Sequence, residues 1–379
     1  MAALLADLRT VKLRQTHIER DSSAPRLVGE LDAISDSYDA SVLQCNIENW
    51  LPLLGPPGLT FETLLVPLTV EQAQLLIRAY DEAERHPPTP EAVVSDPPLN
   101  SEEASLRASL LPPIQAALDQ LAAADGKGCI VKTSSRSPKD AAARTGALER
   151  ILREALSHPS NDRALSLDEE MLRVVCEAEG AALRFSRAED ILRALVLSER
   201  IWQDMTLALR HPDSFKQNIV VRRWESVDVT LEFRCFVHAG RLTAISQYAY
   251  QLYSPSLVES IEAARNTIVA YFDSQLREIL VQGGFETCIV DVALLPQSDT
   301  AEHGQWWPRV IELNPFLPST DAALFSWERE RSLLEGSEAL SGRQSYPVIR
   351  VCERARTGGL AVIPKAWKDV VSRVRLDLQ

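Results

Sequence analysis

The sequence predicts an α+β protein whose strands pair mostly antiparallel, and three observations predict it. Two strand-like arms, LEFRCFVH and RLTAISQYAY, flank the tight turn Ala239-Gly240 and read as a hairpin. Two further apolar runs, FETCIVDVALL and RVIELNPF, follow close together. Between the pairs stands SPSLVESIEAARNTIVAYFDSQLREILVQGG, where Leu257, Ile261, Ala264, Ile268, Phe272, Leu276 and Ile279 recur every three or four residues, the mark of an amphipathic helix.

Taken in order, SVLQCNIENWLPLL leads into the strand-like FETLLVPL and then the helix TVEQAQLLIRAYDEAER, with Thr69 as N-cap. Pro87, Pro88, Pro90, Pro97 and Pro98 mark a loop or linker. A helix from about Ser101 is expected to break at Pro112-Pro113, resume as PIQAALDQLAAA and stop at Asp125-Gly126. GCIVKTSS suits a buried strand, and residues 138–215 read as helical, with Ile191, Leu192, Leu195, Ile201, Met205 and Leu209 near one stripe. IVVRRWESVDV reads as one strand. In the hairpin, Leu231, Phe233, Cys235 and Val237 share one face, and Glu232, Arg234, Phe236 and His238 the other. Ser254 or Ser256 suits the start of the long helix and Gly283-Gly284 its end. Trp306-Trp307-Pro308 reads as part of a polar loop between the last two strands, and a charged helix, a Gly/Ser loop and a mixed tail follow Ser326.

Composition removes several classes of function. The 379 residues are 45% hydrophobic and 25% charged, too apolar for wholesale disorder. Forty basic against 53 acidic side chains leave a net charge of −13, which argues against broad duplex binding but leaves room for a local basic pocket. No run approaches the roughly 18 apolar residues of a membrane helix. The start MAALLADLRTVKL lacks a basic lead and apolar core, so no secretory signal is expected and the chain should be intracellular. Six scattered cysteines give no C-x-x-C pair and read as buried thiols, and six scattered histidines give no H-E-x-x-H pair.

The chemistry concentrates late in the chain. Asp291 lies inside an apolar run, and Glu312 and Asn314 stand two apart in another, so in a strand they face the same way. If the two strands are antiparallel neighbours, Asp291 joins them. Such an oxygen set either holds a hard cation, magnesium by preference, or forms ion pairs with arginines of neighbouring strands. Lys132 ends a strand and precedes Thr133-Ser134-Ser135-Arg136, a loop able to donate to phosphate oxygens, although no Walker A pattern is present. Glu232 and Arg234, with Arg222 and Arg223 on the preceding strand, make either an ion-pair ladder or one wall of an anion site.

Basic groups first, then a hairpin, then Asp…Glu-x-Asn: that order resembles the ATP-grasp fold. The runs VKTSSRSPKDA, RRWESVDVTLEFRCFVHAGRLTAISQYAYQLY, IVDVALL and VIELNPFLPSTDAALFSW, with CNIENWLPLL upstream and PKAWKDV downstream, look like the cell division cycle protein 123 family. The likeness implies an ATP-grasp-like fold of two α+β subdomains clasping a nucleotide. It implies an N-terminal segment over 1–40, an N-terminal α+β subdomain over 41–218 with a Pro-rich insertion near 86–100, a C-terminal ATP-grasp subdomain over 219–327 and a partner-binding tail over 328–379. It implies ATP and Mg2+ as cofactors. It also implies the role of an assembly chaperone that binds the gamma subunit of eukaryotic translation initiation factor 2. A cytoplasmic monomer without direct nucleic-acid or membrane contact is expected.

Residue by residue, Lys132 matches the family's phosphate-binding lysine and Arg234 the arginine of EFRCFV. Asp291, Glu312 and Asn314 match the metal set, with Glu312 standing where relatives often carry Asp. Arg223, Trp224 and Glu232 complete the expected cofactor-binding residues, Trp224 beside the adenine. Thr133-Ser134-Ser135-Arg136 departs from a more apolar, Trp-containing stretch, Leu317 stands for a glycine, and Ala249 for an acidic residue. The alternative function is an ATP-grasp ligase that couples a carboxylate to an amine through an acylphosphate, which leaves catalytic turnover open.

Overall fold

Nine strands in two sheets among the described residues position everything that follows. In the computed structural model, residues 30–89, 92–93, 97–122, 127–157, 167–297, 306–337, 347–355, 363 and 365–377 are described. The chain divides into two units, Met1–Ala40 and Ser41–Gln379, and both sheets lie in the second. Strands β1 (Thr63–Pro67), β2 (Cys129–Thr133), β3 (Arg184–Phe185) and β4 (Asn218–Arg223) form a sheet of order β1-β4-β2-β3. Strands β5 (Glu232–His238), β6 (Arg241–Gln247), β7 (Cys288–Pro296), β8 (Trp306–Asn314) and β9 (Val348–Arg350) form the other, of order β8-β7-β5-β6-β9. Pairing is antiparallel except between β6 and β9. The strand Asn218–Arg223, all but Asn218 of which falls in the expected 219–327 subdomain, hydrogen-bonds between β1 and β2 in the first sheet.

Strand β4 reads Ile-Val-Val because both its faces are buried, and such strands lose the polar alternation. Beneath this sheet, helices Val70–Arg85, Ser101–Ala122, Ala188–Val196 and Glu199–Ala208 bury Leu76, Leu106, Ile114, Leu192 and Met205. The cap at Thr69 forms as expected, its hydroxyl accepting from Gln72 N while the Gln72 side chain returns a bond to Thr69 N. The hairpin faces also divide as expected. Phe233, Cys235 and Val237 pack with Leu257, Ile268 and Leu276. On the other face Phe236 meets Phe316, Phe325 and Trp327 at 5.8–6.3 Å between ring centroids. All six cysteines are free and buried.

Several elements differ from expectation, each for a local reason. The helix Ser101–Ala122 runs through Pro112 and Pro113 without stopping. A proline costs about 3 kcal/mol inside a helix, but burying one Leu or Ile returns about 1.5–3 kcal/mol. Leu106, Leu110, Ile114, Leu118 and Leu121 are all buried there, while both prolines face outward. The helical stripe over 188–209 splits at Ser198, which caps the second half by accepting from Ile201 N. Strand β4 ends at Arg223 rather than running on to Val229, because Asp228 captures Thr230 N and closes a 3-10 turn. Trp306-Trp307-Pro308 belongs to β8, whose edge position tolerates a proline. The long helix is Pro255–Glu259 and Ile261–Tyr271, then a π-helical turn Phe272–Leu276, then Arg277–Gln282. Ser254 caps it, and the π turn lets Tyr271, Phe272 and Leu276 all reach the core.

After Ser326 the expected charged helix shrinks to Arg331–Leu334. The last helix, Lys365–Asp377, packs Trp367, Val370, Val371 and Val374 against Leu148, Leu152, Met171 and Leu172. The described part of the Pro-rich stretch is tied down from inside. Arg193 donates to the carbonyls of Ala92, Val93 and Pro97 at 2.9, 2.6 and 2.7 Å and pairs with the fully buried Glu103 at 3.2 Å. Pro90 and the stop at Asp125-Gly126 lie outside the described residues. No helix among the described residues is long and apolar enough to cross a membrane.

Candidate functional site

Strand β7 lies between β5 and β8, and its register sets Asp291 opposite Arg234 on one side and Glu312 on the other. The three side chains therefore form one cross-strand row. Arg234 grips Asp291 with two bonds, Nε to Oδ1 at 2.9 Å and Nη2 to Oδ2 at 2.8 Å. Asn314 shares the face of Glu312 and donates through Nδ2 to Asp291 at 2.9 Å and to Glu312 at 3.4 Å. This is the convergence expected from the i, i+2 spacing.

A β-bulge makes the row fit the core. Val292 pairs with Val310 and Asp291 with Glu312, so Ile311 has no partner on β7. The extra residue lets Val310 and Leu313 both bury while Glu312 turns toward the site. It also releases the Ile311 carbonyl from the ladder. Arg222 of β4 takes that carbonyl with Nη1 at 2.6 Å, so the first sheet holds the second beside Glu312.

Lys132 reaches across from β2, with Nζ 2.6 Å from Glu312 Oε2. The hydroxyls that follow it are engaged elsewhere. Thr133 donates to Asp204 Oδ2 at 2.5 Å and Ser135 to Asp204 Oδ1, while Ser134 Oγ accepts from Asn218 N at 2.9 Å. In this arrangement the hydroxyls expected to face phosphate oxygens bond within the protein.

Around the row stand Tyr248, Lys139 and Asp321, which sequence reasoning did not place, and Glu232, which it did. The centre of the Tyr248 ring lies 4.9 Å from the Arg234 guanidinium and 5.6 Å from the Lys139 ammonium, two cations over one ring. Lys139 also pairs with Glu179 at 3.0 Å. The Asp321 carbonyl accepts from Arg234 at 2.7 Å, which ties the segment after NPF to the row. Glu232 occupies the same face of β5 as Arg234, and burial pushes its carboxyl up to about 7.

Arg223 and Trp224 fall outside this group. On β4, Lys132 stands opposite Val220 and Arg223 opposite Cys129, at the other end of the strand pair. Alternation turns Arg222 to the Lys132 face and Arg223 away, where Arg223 pairs with Glu62 at 2.7 Å. Trp224 lies past the strand end with the Arg184 guanidinium 5.5 Å over its ring.

The row is balanced, two carboxylates against Lys132 and Arg234. Burial would raise Glu312, but the ammonium of Lys132 overrides it and holds the carboxyl down at about 2. Burial raises Asp291 against the pull of Arg234, helped by the neighbouring Glu312 charge. Burial lowers Arg222 to about 10, and its Nη2 is buried without a hydrogen-bond partner. No group of three or more His, Cys, Asp or Glu side chains able to hold a metal occurs among the described residues. The oxygen donors gathered here are a carboxylate pair completed by an amide.

The D123 family model matches residues 177–363, a stretch that holds the whole row but not Lys132. A protein of Sclerotinia sclerotiorum named "Translation initiation factor eIF2 assembly protein" is 30% identical over 154 residues, 38% of this chain and 35% of that one. A protein of the same name in Xenopus tropicalis is 27% identical over 179 residues, 46% of this chain and 50% of that one. The chain thus spans between a third and a half of the length of these two relatives. Among solved structures, Cdc123 from Schizosaccharomyces pombe superposes with a TM-score of 0.52 at 20% identity, covering 83% of this chain and 98% of that one. At that identity the likeness concerns the fold alone.

Proposed function

We propose, from the premise that residues 177–363 of this chain belong to the D123 family, that the protein is an assembly factor for eukaryotic translation initiation factor 2. In this reading it engages the gamma subunit, holds ATP with magnesium in an ATP-grasp-like clasp, and works as a cytoplasmic monomer. The observation that carries the reading is the Arg234–Asp291–Glu312 row, closed from the other sheet by Lys132.

The donor chemistry fits the group. Magnesium takes oxygen ligands, few of them from protein, and shares the rest with phosphates and water. Asp291, Glu312 and the amide of Asn314 would supply the protein oxygens, and Lys132 and Arg234 would hold phosphate oxygens. When bound, the metal supplies the positive charge that lets two carboxylates share a site with a triphosphate. Each carboxylate here already has one cation beside it, so every protein group has a partner before and after ligand arrives. That exchange keeps buried charge paired throughout, which a site of lone carboxylates would not.

The test is affinity purification of the tagged full chain from its own cells. The gamma subunit of initiation factor 2 should be recovered with the wild type and reduced with Asn314→Ala. Failure to recover it with the wild type contradicts the assembly role.

A further inference from the structure

We infer that Asp204 is a positioning residue for Lys132: from the helix Glu199–Ala208 it ties down the loop after β2 and so fixes where the Lys132 ammonium stands. The inference rests on reading the Lys132–Glu312 cluster as a nucleotide site, and it deepens that reading by adding a residue behind it.

Lys132 and Thr133 are adjacent in a strand, so their side chains leave opposite faces. In front, Lys132 meets Glu312 at 2.6 Å. Behind, Asp204 receives the Thr133 hydroxyl on one oxygen at 2.5 Å and the Ser135 hydroxyl on the other. Asp204 is only 4% exposed, and among the described residues its partners are these hydroxyls, with no cation beside them. A buried carboxylate held by hydroxyls alone is expensive, and an apolar side chain would fill the place at less cost. What the carboxylate achieves is geometric. It holds both ends of the Thr133-Ser134-Ser135 turn at once, while Thr133 N donates to Arg136 O at 2.7 Å and Ile47 N to Ser134 O at 3.1 Å. The lysine stem has four flexible bonds, so a backbone fixed at its root is what lets one ammonium position dominate. The polar loop of this chain and the acid on the helix behind it thus form one device.

The test is acetylation of the full chain with sulfo-NHS-acetate, read lysine by lysine by mass spectrometry, beside a thermal melt of each variant. Asp204→Ala should raise the labelling rate of Lys132 about tenfold, and Asp204→Asn and Ser135→Ala by less, while the exposed Lys216 stays at its wild-type rate. The two milder variants decide the matter where Asp204→Ala does not fold. Lys132 labelling at the wild-type rate in all variants overturns the inference, and so does an equal rise at every lysine. Titration with magnesium and ATP reads the underlying site separately. Asp204→Ala should weaken binding in the wild-type background and add no further loss to Lys132→Ala. Additive losses also overturn the inference. A wild-type chain that binds no ATP removes the nucleotide reading and leaves the labelling result to judge Asp204 on its own.

Discussion

Asp291 accepts three hydrogen bonds in the row, from Arg234 on both its oxygens and from Asn314 on one of them. Removing it leaves the Arg234 guanidinium buried and unpaired. Asp291→Ala should therefore cost about 3–5 kcal/mol of stability in urea unfolding, well above an exposed pair's worth. A loss under about 1 kcal/mol would show that the pair is solvated in solution. Glu312 gives a pH signature. Its folded carboxyl is lowered from 4.5 to about 2, so its contribution is complete above the unfolded value and is lost as pH falls from 4.5 toward 2. The melting temperature of wild type minus Glu312→Gln should shrink across that window and stay level above it. At this scale the sequence was informative where spacing alone decides direction: Glu312 and Asn314 sit two apart and point together. It was silent on Arg222 against Arg223, because neighbouring arginines leave opposite faces and only the pairing with β2 says which face meets β8. Lys139 and Tyr248 were likewise hidden, since their meeting depends on packing between distant segments.

Among elements, β3 falls in a stretch that reads as helical and β9 in the tail, whereas β1, β2 and β4 to β8 were legible as short apolar runs. The bulge at Ile311 was not, because nothing in VIELN marks an unpaired residue; it shows only when Val310 and Leu313 must both bury. The prolines at 112 and 113 misled for a related reason, local preference losing to a buried stripe of five side chains. The Pro-rich stretch reads as a linker by composition, yet Arg193 fastens three of its carbonyls. Arg193→Ala leaves Glu103 with Arg107 as its remaining cation and frees those carbonyls. It should lower stability by about 3 kcal/mol or more and open the stretch between Pro88 and Pro97 to limited proteolysis. Unchanged cleavage there would mean that the segment is held by other contacts.

On the scale of the molecule, the first sheet and the segment leading into it reach β8 through three side-chain links, beside the apolar core that the two sheets share. Lys132 joins Glu312, Arg222 joins the Ile311 carbonyl, and Thr60 donates to the Val310 carbonyl at 2.7 Å. All three land on β8 within three residues, so the strand that carries Glu312 and Asn314 is also the strand by which the sheets hold each other. A ligand that draws Lys132 from Glu312 would loosen that link and leave those at Ile311 and Val310 in place. Isothermal titration of ATP into the full chain, with magnesium and again with EDTA, tests this account most directly. Binding with magnesium should weaken by more than about tenfold, or 1.4 kcal/mol, when the metal is chelated and in each of Lys132→Met and Asn314→Ala. Equal affinity in all of these, or no binding by the wild type, would contradict it.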